Sequence, residues 1–169
     1  MIVKGQRLDL TNTFQVITLE VTDSERLPED ILQFLVIPLG QDGRVLPGWT
    51  LMNEMTDISI TRKPNSIRII LKTDLVTPSV HELLFILHAE KANMIRMKLD
   101  KMGEMFIRVN HELFDLTPDL EGRALIAFSV YRRGPIWRFR AIGEAYKWGL
   151  EEIYPLYGID PKQAPHHQS

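Results

Sequence analysis

The sequence predicts a mainly β protein: an antiparallel β-sandwich of two sheets with a few short helices, one of them near the C-terminus. Three observations predict it. Apolar residues fall into about ten short runs of strand length. Turn-forming residues (Asp42-Gly43, Pro47-Gly48, Pro64-Asn65 and Gly134-Pro135) separate many of them. A helical period shows only after Gly143, where Ala145, Trp148, Leu150 and Ile153 suit one helix face. Strands in succession, without alternating helices, favour a sandwich over βα units.

In chain order, residues 4–11 read as a polar lead-in containing Gly5. Residues 14–21, Phe-Gln-Val-Ile-Thr-Leu-Glu-Val, alternate as a half-buried strand does. Residues 23–30 carry Pro28 with Asp23, Glu25, Glu29 and Asp30, and read as an exposed loop. Residues 31–39 are densely apolar and predict a strand buried on both faces, with Pro38 placing it at an edge or ending it. Asp42-Gly43 turns the chain back as Arg44-Val45-Leu46, and Pro47-Gly48 turns it again into a short strand over 49–52.

Residues 58–60 and 67–71 form a strand pair about the turn 62–65. A polar connection with Pro78 leads to residues 82–89, Glu-Leu-Leu-Phe-Ile-Leu-His-Ala, a second deeply buried strand. Residues 90–102 favour a short helix or a structured loop by propensity. Residues 105–109 are strand, and 112–118 a turn-rich link. A hairpin then folds residues 123–142 about Gly134-Pro135 and should lie centrally in its sheet. The final helix stops at Pro155. Residues 1–160 are expected to form one domain, and 161–169 a flexible tail in which His166-His167 lacks a third ligand nearby.

Composition narrows function mainly by exclusion. A net charge of -2 and a pI near 6.2 give no general attraction to nucleic acid or anionic membrane. Cysteine is absent, which removes thiol catalysis, disulfides and Cys-ligated metal. The N-terminal segment carries Lys4 and Arg7 without an apolar stretch, so no signal peptide is expected. The longest apolar run, 83–87, is too short to span a bilayer. The expectation is a cytoplasmic protein.

Catalytic patterns fail on spacing. His81-Glu82-Leu83 and His111-Glu112-Leu113 would need a second His where Phe85 and Asp115 stand. Neither a Gly-x-Ser-x-Gly elbow nor a Gly-rich phosphate loop occurs, so no enzyme is expected. Arg132, Arg133, Arg138 and Arg140 surround the hairpin turn; they read as a phosphate or small-ligand patch, or as a solvated face with stems packed on aromatics. The acids of 23–30 could supply some oxygens for a hard cation, or simply solvate a loop. Trp49, Trp137 and Trp148 are candidate interface anchors, or else core.

Several blocks resemble the TerD family of tellurium-resistance and general stress proteins. Val130-Tyr131-Arg132, Trp137-Arg138-Phe139-Arg140-Ala141-Ile142-Gly143 and Gly149-Leu150 resemble the family's ending "VYRHNGEWKFRAVGQGYAGGL", and Tyr157-Gly158-Ile159 its closing "FGV". Residues 4–11 resemble the opening "LxKGxxxxLT", Asp42-Gly43-Arg44-Val45 the "DGKV", and Phe106-Ile107-Arg108-Val109 the "FIRV". The resemblance implies a β-sandwich in a bacterial, cytoplasmic, calcium-binding protein tied to stress operons, acting with other proteins of that pathway and without established catalysis. It also implies a degenerate calcium site. The family's "DxDxD" falls at Glu29, Ile31 and Gln33, and its "YNN" at Met52-Asn53-Glu54. Its second acidic run falls at residues 63–67, which hold no acid. An Ile cannot ligate Ca²⁺, and fewer charged oxygens weaken affinity. Any remaining weak site would draw on Glu29, Asp30, Gln33, Asn53 and Glu54. The resemblance therefore leaves three readings: a binding or scaffold module, a calcium sensor or buffer, and a binder of phosphate or another small ligand.

Overall fold

The computed structural model describes residues 1–22, 32–48, 57–91, 95–96 and 98–163. Two five-stranded antiparallel sheets face one another. The first takes β1 (Arg7–Leu10), β12 (Ile136–Tyr146), β11 (Ala124–Arg133), β6 (Glu82–His88) and β3 (Gln33–Leu39) in that order. The second runs β10 (Glu112–Asp115), β9 (Met105–Val109), β2 (Phe14–Val21), β5 (Ser66–Lys72) and β4 (Ile58–Lys63). A small pair, β7 (Glu90–Lys91) and β8 (Ile95–Arg96), stands apart. The predicted sandwich is the observed fold, and the β11–β12 hairpin lies inside its sheet as expected.

Strand period explains how the two sheets meet. Inward residues of the second sheet (Ile17, Leu19, Ile67, Ile69, Ile107) pack against Phe85, Leu87, Leu125, Phe128 and Phe139 of the first. At the centre, Phe128 stacks on Phe85 at 4.5 Å and on Phe139 at 5.1 Å, and Phe34 meets Phe128 edge-on at 6.1 Å. The register shifts between Ile126 and Phe128 on both neighbouring strands: Ile142 and Gly143 of β12 oppose Ala127, and towards β6 Ala127 itself is the extra residue of β11. That bulge re-phases β11, so Leu125 and Phe128 both reach the interior.

The continuous apolar runs of β3 and β6 have a second cause. On the outer face, Leu35, Ile37, Leu39, Leu84, Ile86 and Ile126 are covered by Leu150, Ile153, Tyr154 and Ile159. Leu150 and Ile153 belong to α1 (Leu150–Ile153), Tyr154 to the 3-10 turn Tyr154–Tyr157 that follows it, and Ile159 lies just beyond that turn. A strand buried on both faces reads as an unbroken apolar run. Pro38 sits on β3, an edge strand, where a missing amide is tolerated.

Several expectations need correction. Residues 144–146 are not helical: β12 continues through Gly143 to Tyr146, because its pairing with β11 extends to Ala124↔Tyr146. The helix is one turn long. The lead-in 4–11 contains β1, held by Arg7↔Arg140 through Leu10↔Trp137. The link 112–118 contains β10, since Asn110 and His111 both adopt positive φ (48° and 67°) and close a two-residue hairpin with β9. The described parts of 90–102 are strand and a 3-10 turn at Leu99–Met102, not α-helix. The return 44–46 forms only a bridge, Leu39↔Val45. Residues 161–163 form a further 3-10 turn. The expected loop 23–30, the strand 49–52 and the His166-His167 pair lie outside the described residues.

Candidate functional site

The four hairpin arginines separate by strand face. Alternation along β12 sends Trp137, Phe139 and Ala141 inward, and leaves Arg138 and Arg140 on the outer face. Arg132 is not part of a ligand patch. Its guanidinium donates to Val80 O (2.7 Å), Val76 O and Thr77 O (both 3.1 Å) and lies 4.4 Å over the Trp137 ring. Partial burial draws its pKa below the usual arginine value. Arg133 is exposed beside the Gly134-Pro135 turn, where Gly134 takes φ +57° at the first central position, as a type II′ turn requires.

The cross-strand register builds a polar patch from the two remaining arginines. One row runs Arg7 (β1), Arg140 (β12), Ser129 (β11) and Leu84 (β6); the next runs Asp9, Arg138, Tyr131 and Glu82. Arg140 donates to Glu82 Oε2 at 3.2 Å. Arg138 Nε lies 2.8 Å from Asp9 Oδ1, an ion pair whose angles fall outside hydrogen-bonding geometry. Arg7 and Arg140 lie 5.8 and 6.0 Å from the Tyr131 ring centre. Among the described residues, Ser129 Oγ, the Tyr131 hydroxyl and Arg140 Nε are shut from solvent without a hydrogen-bond partner.

Beside this patch is a cavity of about 480 Å³ bordered by Lys4, Ile126, Arg140, Ile142, Glu144 and Tyr157. Burial, then the charges of Glu82 and Glu144, raise the Tyr157 pKa, with Arg140 partly opposing them. The neighbouring Tyr146 is pushed up to about 12 by burial and by Glu144. Both phenols are therefore protonated at neutral pH, and that of Tyr146 donates to Glu144.

The proposed calcium oxygens are not assembled by the described residues. Glu29, Asp30, Asn53 and Glu54 lie outside them, and Gln33 opens β3 opposite His88. Among the described residues, no group of three His, Asp or Glu side chains could hold a metal ion. Asp57, which the sequence reading passed over, is 4 % exposed with Oδ2 unpartnered, and burial raises its pKa.

The tryptophans also separate. Trp137 is no interface anchor; it is 6 % exposed, in the core between the sheets. Trp49 lies outside the described residues. Trp148 is 55 % exposed, with Lys147 Nζ 4.9 Å and the Arg123 guanidinium 6.0 Å from its ring centre.

The TerD domain profile matches residues 54–157. The chain belongs to the TerD domain family. It is 29% identical over 98 residues to the tellurium resistance protein TerD of Serratia marcescens, covering 53% of this chain and 51% of that one. It is 29% identical over 92 residues to general stress protein 16U of Bacillus subtilis (strain 168), covering 50% and 48%. The chain thus spans about half the length of the curated relatives it matches. A crystal structure of a TerD homologue from Streptomyces coelicolor A3(2) superposes with a TM-score of 0.58 at 12% identity, covering 80% of this chain and 91% of that one. At that identity the likeness speaks to the TerD fold alone. No helix among the described residues is long and apolar enough to cross a membrane.

The sequence reading missed Arg7, Ser129, Tyr131 and Glu82. Only the β1–β12 and β11–β6 registers bring them beside Arg138 and Arg140. A signal was present in the matching two-residue spacings Arg7-x-Asp9 and Arg138-x-Arg140, which place each pair on one face of its strand.

Proposed function

We propose that the protein is a non-catalytic binding module of a cytoplasmic stress or tellurium-resistance response, docking a protein partner through its C-terminal segment. The family and the names of the relatives support the stress and tellurium-resistance setting. The observation that carries the docking role is Trp148. An indole more than half exposed, between two cations and just before α1, is a poor contributor to this core and a suitable anchor for a partner. The flanking Arg123 and Lys147 favour an acidic surface on that partner. The test is tellurite tolerance in a strain lacking its own copy, complemented with wild type or Trp148→Ala. The variant should melt within about 2 °C of wild type, as a surface change does, and fail to restore tolerance. Full complementation by the variant would remove the docking role.

The calcium site is proposed to be degenerate, on the ground that Ile31 and Gln33 stand at two of the family's three acidic positions. A thermal melt of chelator-treated protein with and without Ca²⁺ tests this. Ligand at about a hundredfold over Kd adds about 2.7 kcal/mol, or about 5–10 °C for a domain of this size. No shift is expected; a rise of that size would restore the sensor or buffer reading.

A further inference from the structure

The outer face of the first sheet carries an arrangement that packing does not explain. Arg7 and Arg140 are directly opposed across β1 and β12. Like charges at such positions repel and destabilise the pair. Of the two, Arg140 has Glu82, and the adjacent Arg138 has Asp9. No acid pairs with Arg7 among the described residues, and the block of Arg7, Asp9, Arg138, Arg140 and Glu82 carries one positive charge in excess, with Glu144 bordering the adjoining cavity beside Arg140. Next to it, Ser129 Oγ and the Tyr131 hydroxyl have no hydrogen-bond partner, and Ser129 is 0 % exposed. Buried hydroxyls are almost always satisfied, so two orphans beside an unbalanced guanidinium pair form an incomplete set of donors.

We infer that this face binds a small phosphate monoester, its phosphate held by Arg7 and Arg140 and its body lying in the adjoining cavity over Ile126, Ile142 and Tyr157. A phosphate relieves the Arg7–Arg140 repulsion and matches the planar fork of either guanidinium. The hydroxyls of Ser129 and Tyr131, and Arg140 Nε–H, are closed to solvent, so they donate to the oxyanion only once the Arg140 side chain shifts to take it up. The cavity, about 480 Å³, is large enough for a small metabolite. Its apolar floor and the acceptor at Glu144 suit a ligand whose other end carries an N–H or O–H donor. Arg132 takes no part, since backbone carbonyls already occupy it. This site is independent of docking through Trp148 and stands or falls without it.

Isothermal titration calorimetry on the full chain, with AMP, adenosine and inorganic phosphate as probes, tests the inference. AMP should bind more tightly than inorganic phosphate, and adenosine should not bind. Arg7→Gln should weaken AMP about tenfold, the loss of one charge-assisted contact, without lowering the melting point, because Arg7 holds no ion pair and opposes Arg140. Arg140→Gln should weaken AMP at least as much, and Lys63→Gln, exposed on β4 of the other sheet, should leave it unchanged. Affinity should fall as salt rises, because the contacts are partly exposed. Absence of binding by both AMP and phosphate would overturn the inference, as would AMP affinity indifferent to Arg7→Gln. AMP no tighter than phosphate would remove the cavity from the site.

Discussion

Arg132→Ala offers the sharpest check on the division of labour among the hairpin arginines. The change removes one guanidinium that bonds three carbonyls, Val80 O at 2.7 Å and Val76 O and Thr77 O at 3.1 Å. Thr77 O keeps the amide of Val80, so the variant leaves two carbonyls, of Val76 and Val80, without this donor. Both residues are buried, at 5 % and 0 % exposure. An orphaned buried acceptor costs about 1–3 kcal/mol. The stack on Trp137 at 4.4 Å adds about 0.5–1 kcal/mol. Water can reach part of the vacated space, and such terms do not add fully, so about 3 kcal/mol is expected. For a domain of this size that is about 6–12 °C in Tm. Arg138→Ala removes only an ion pair with half-exposed Asp9, expected to cost under about 1 kcal/mol. Differential scanning calorimetry of the two variants decides. Equal shifts, or a fall below about 3 °C for Arg132→Ala, would refute the assignment of Arg132 to structure.

Other variants test the fold and its electrostatics. Phe128→Ala should cost about 3–5 kcal/mol by urea titration, since it empties the centre of the stack with Phe85 and Phe139; a cost under about 2 kcal/mol would mean that the core collapses around the gap. Gly122→Ala should destabilise by about 3 kcal/mol, because a Cβ there would sit 2.4 Å from Tyr146 O, the acceptor of the Arg123 amide; an unchanged melt would disprove so close a packing. Asp57→Asn should raise stability at pH 7. Burial lifts the folded-state pKa of Asp57 above 3.8, so the native state binds the proton more tightly and loses stability as pH rises between those two values. Wild type should therefore gain on the variant as pH falls from 7 towards 4, and the opposite slope in paired melts would refute the burial argument.

How much was legible follows from what is local. The hairpin 123–142 could be read because its period, its turn and its central place depend on adjacent residues. The double burial of β3 and β6 could be read because two covered faces leave an unbroken apolar run. β1 and β10 could not. Arg7–Leu10 is half polar, and it is a strand because β12 offers it a partner more than a hundred residues away in sequence. Glu112–Asp115 looks like a link until Asn110 and His111 are seen at positive φ. The helix was drawn too early because Ala145 and Trp148 fit its period, whereas pairing with β11 keeps 144–146 extended. The phosphate patch was half legible for the same reason: Arg138 and Arg140 share a strand, but their partners come from three others.

The motif Trp137-Arg138-Phe139-Arg140-Ala141 shows how one strand serves two surfaces. Its odd positions fill the sandwich, where Trp137, Phe139 and Ala141 are buried, and its even positions face outward as arginines. The core needs only the odd set; any polar pair would satisfy the even set. Placing Arg140 opposite Arg7 makes β1 a worse partner for β12 than a Glu or Thr at either position would, although β12 is the one strand that β1 pairs with in its sheet. A local choice that works against the fold, only partly offset by Glu82 and the Tyr131 ring, is what a binding surface requires and a purely structural one does not. Arg7→Glu should accordingly raise stability in ligand-free protein, by about 0.5–1 kcal/mol, through a new pair with Arg140, while abolishing phosphate binding. If it lowers stability, the opposed arginines are serving the sheet itself, and the case for a ligand on this face loses its main support.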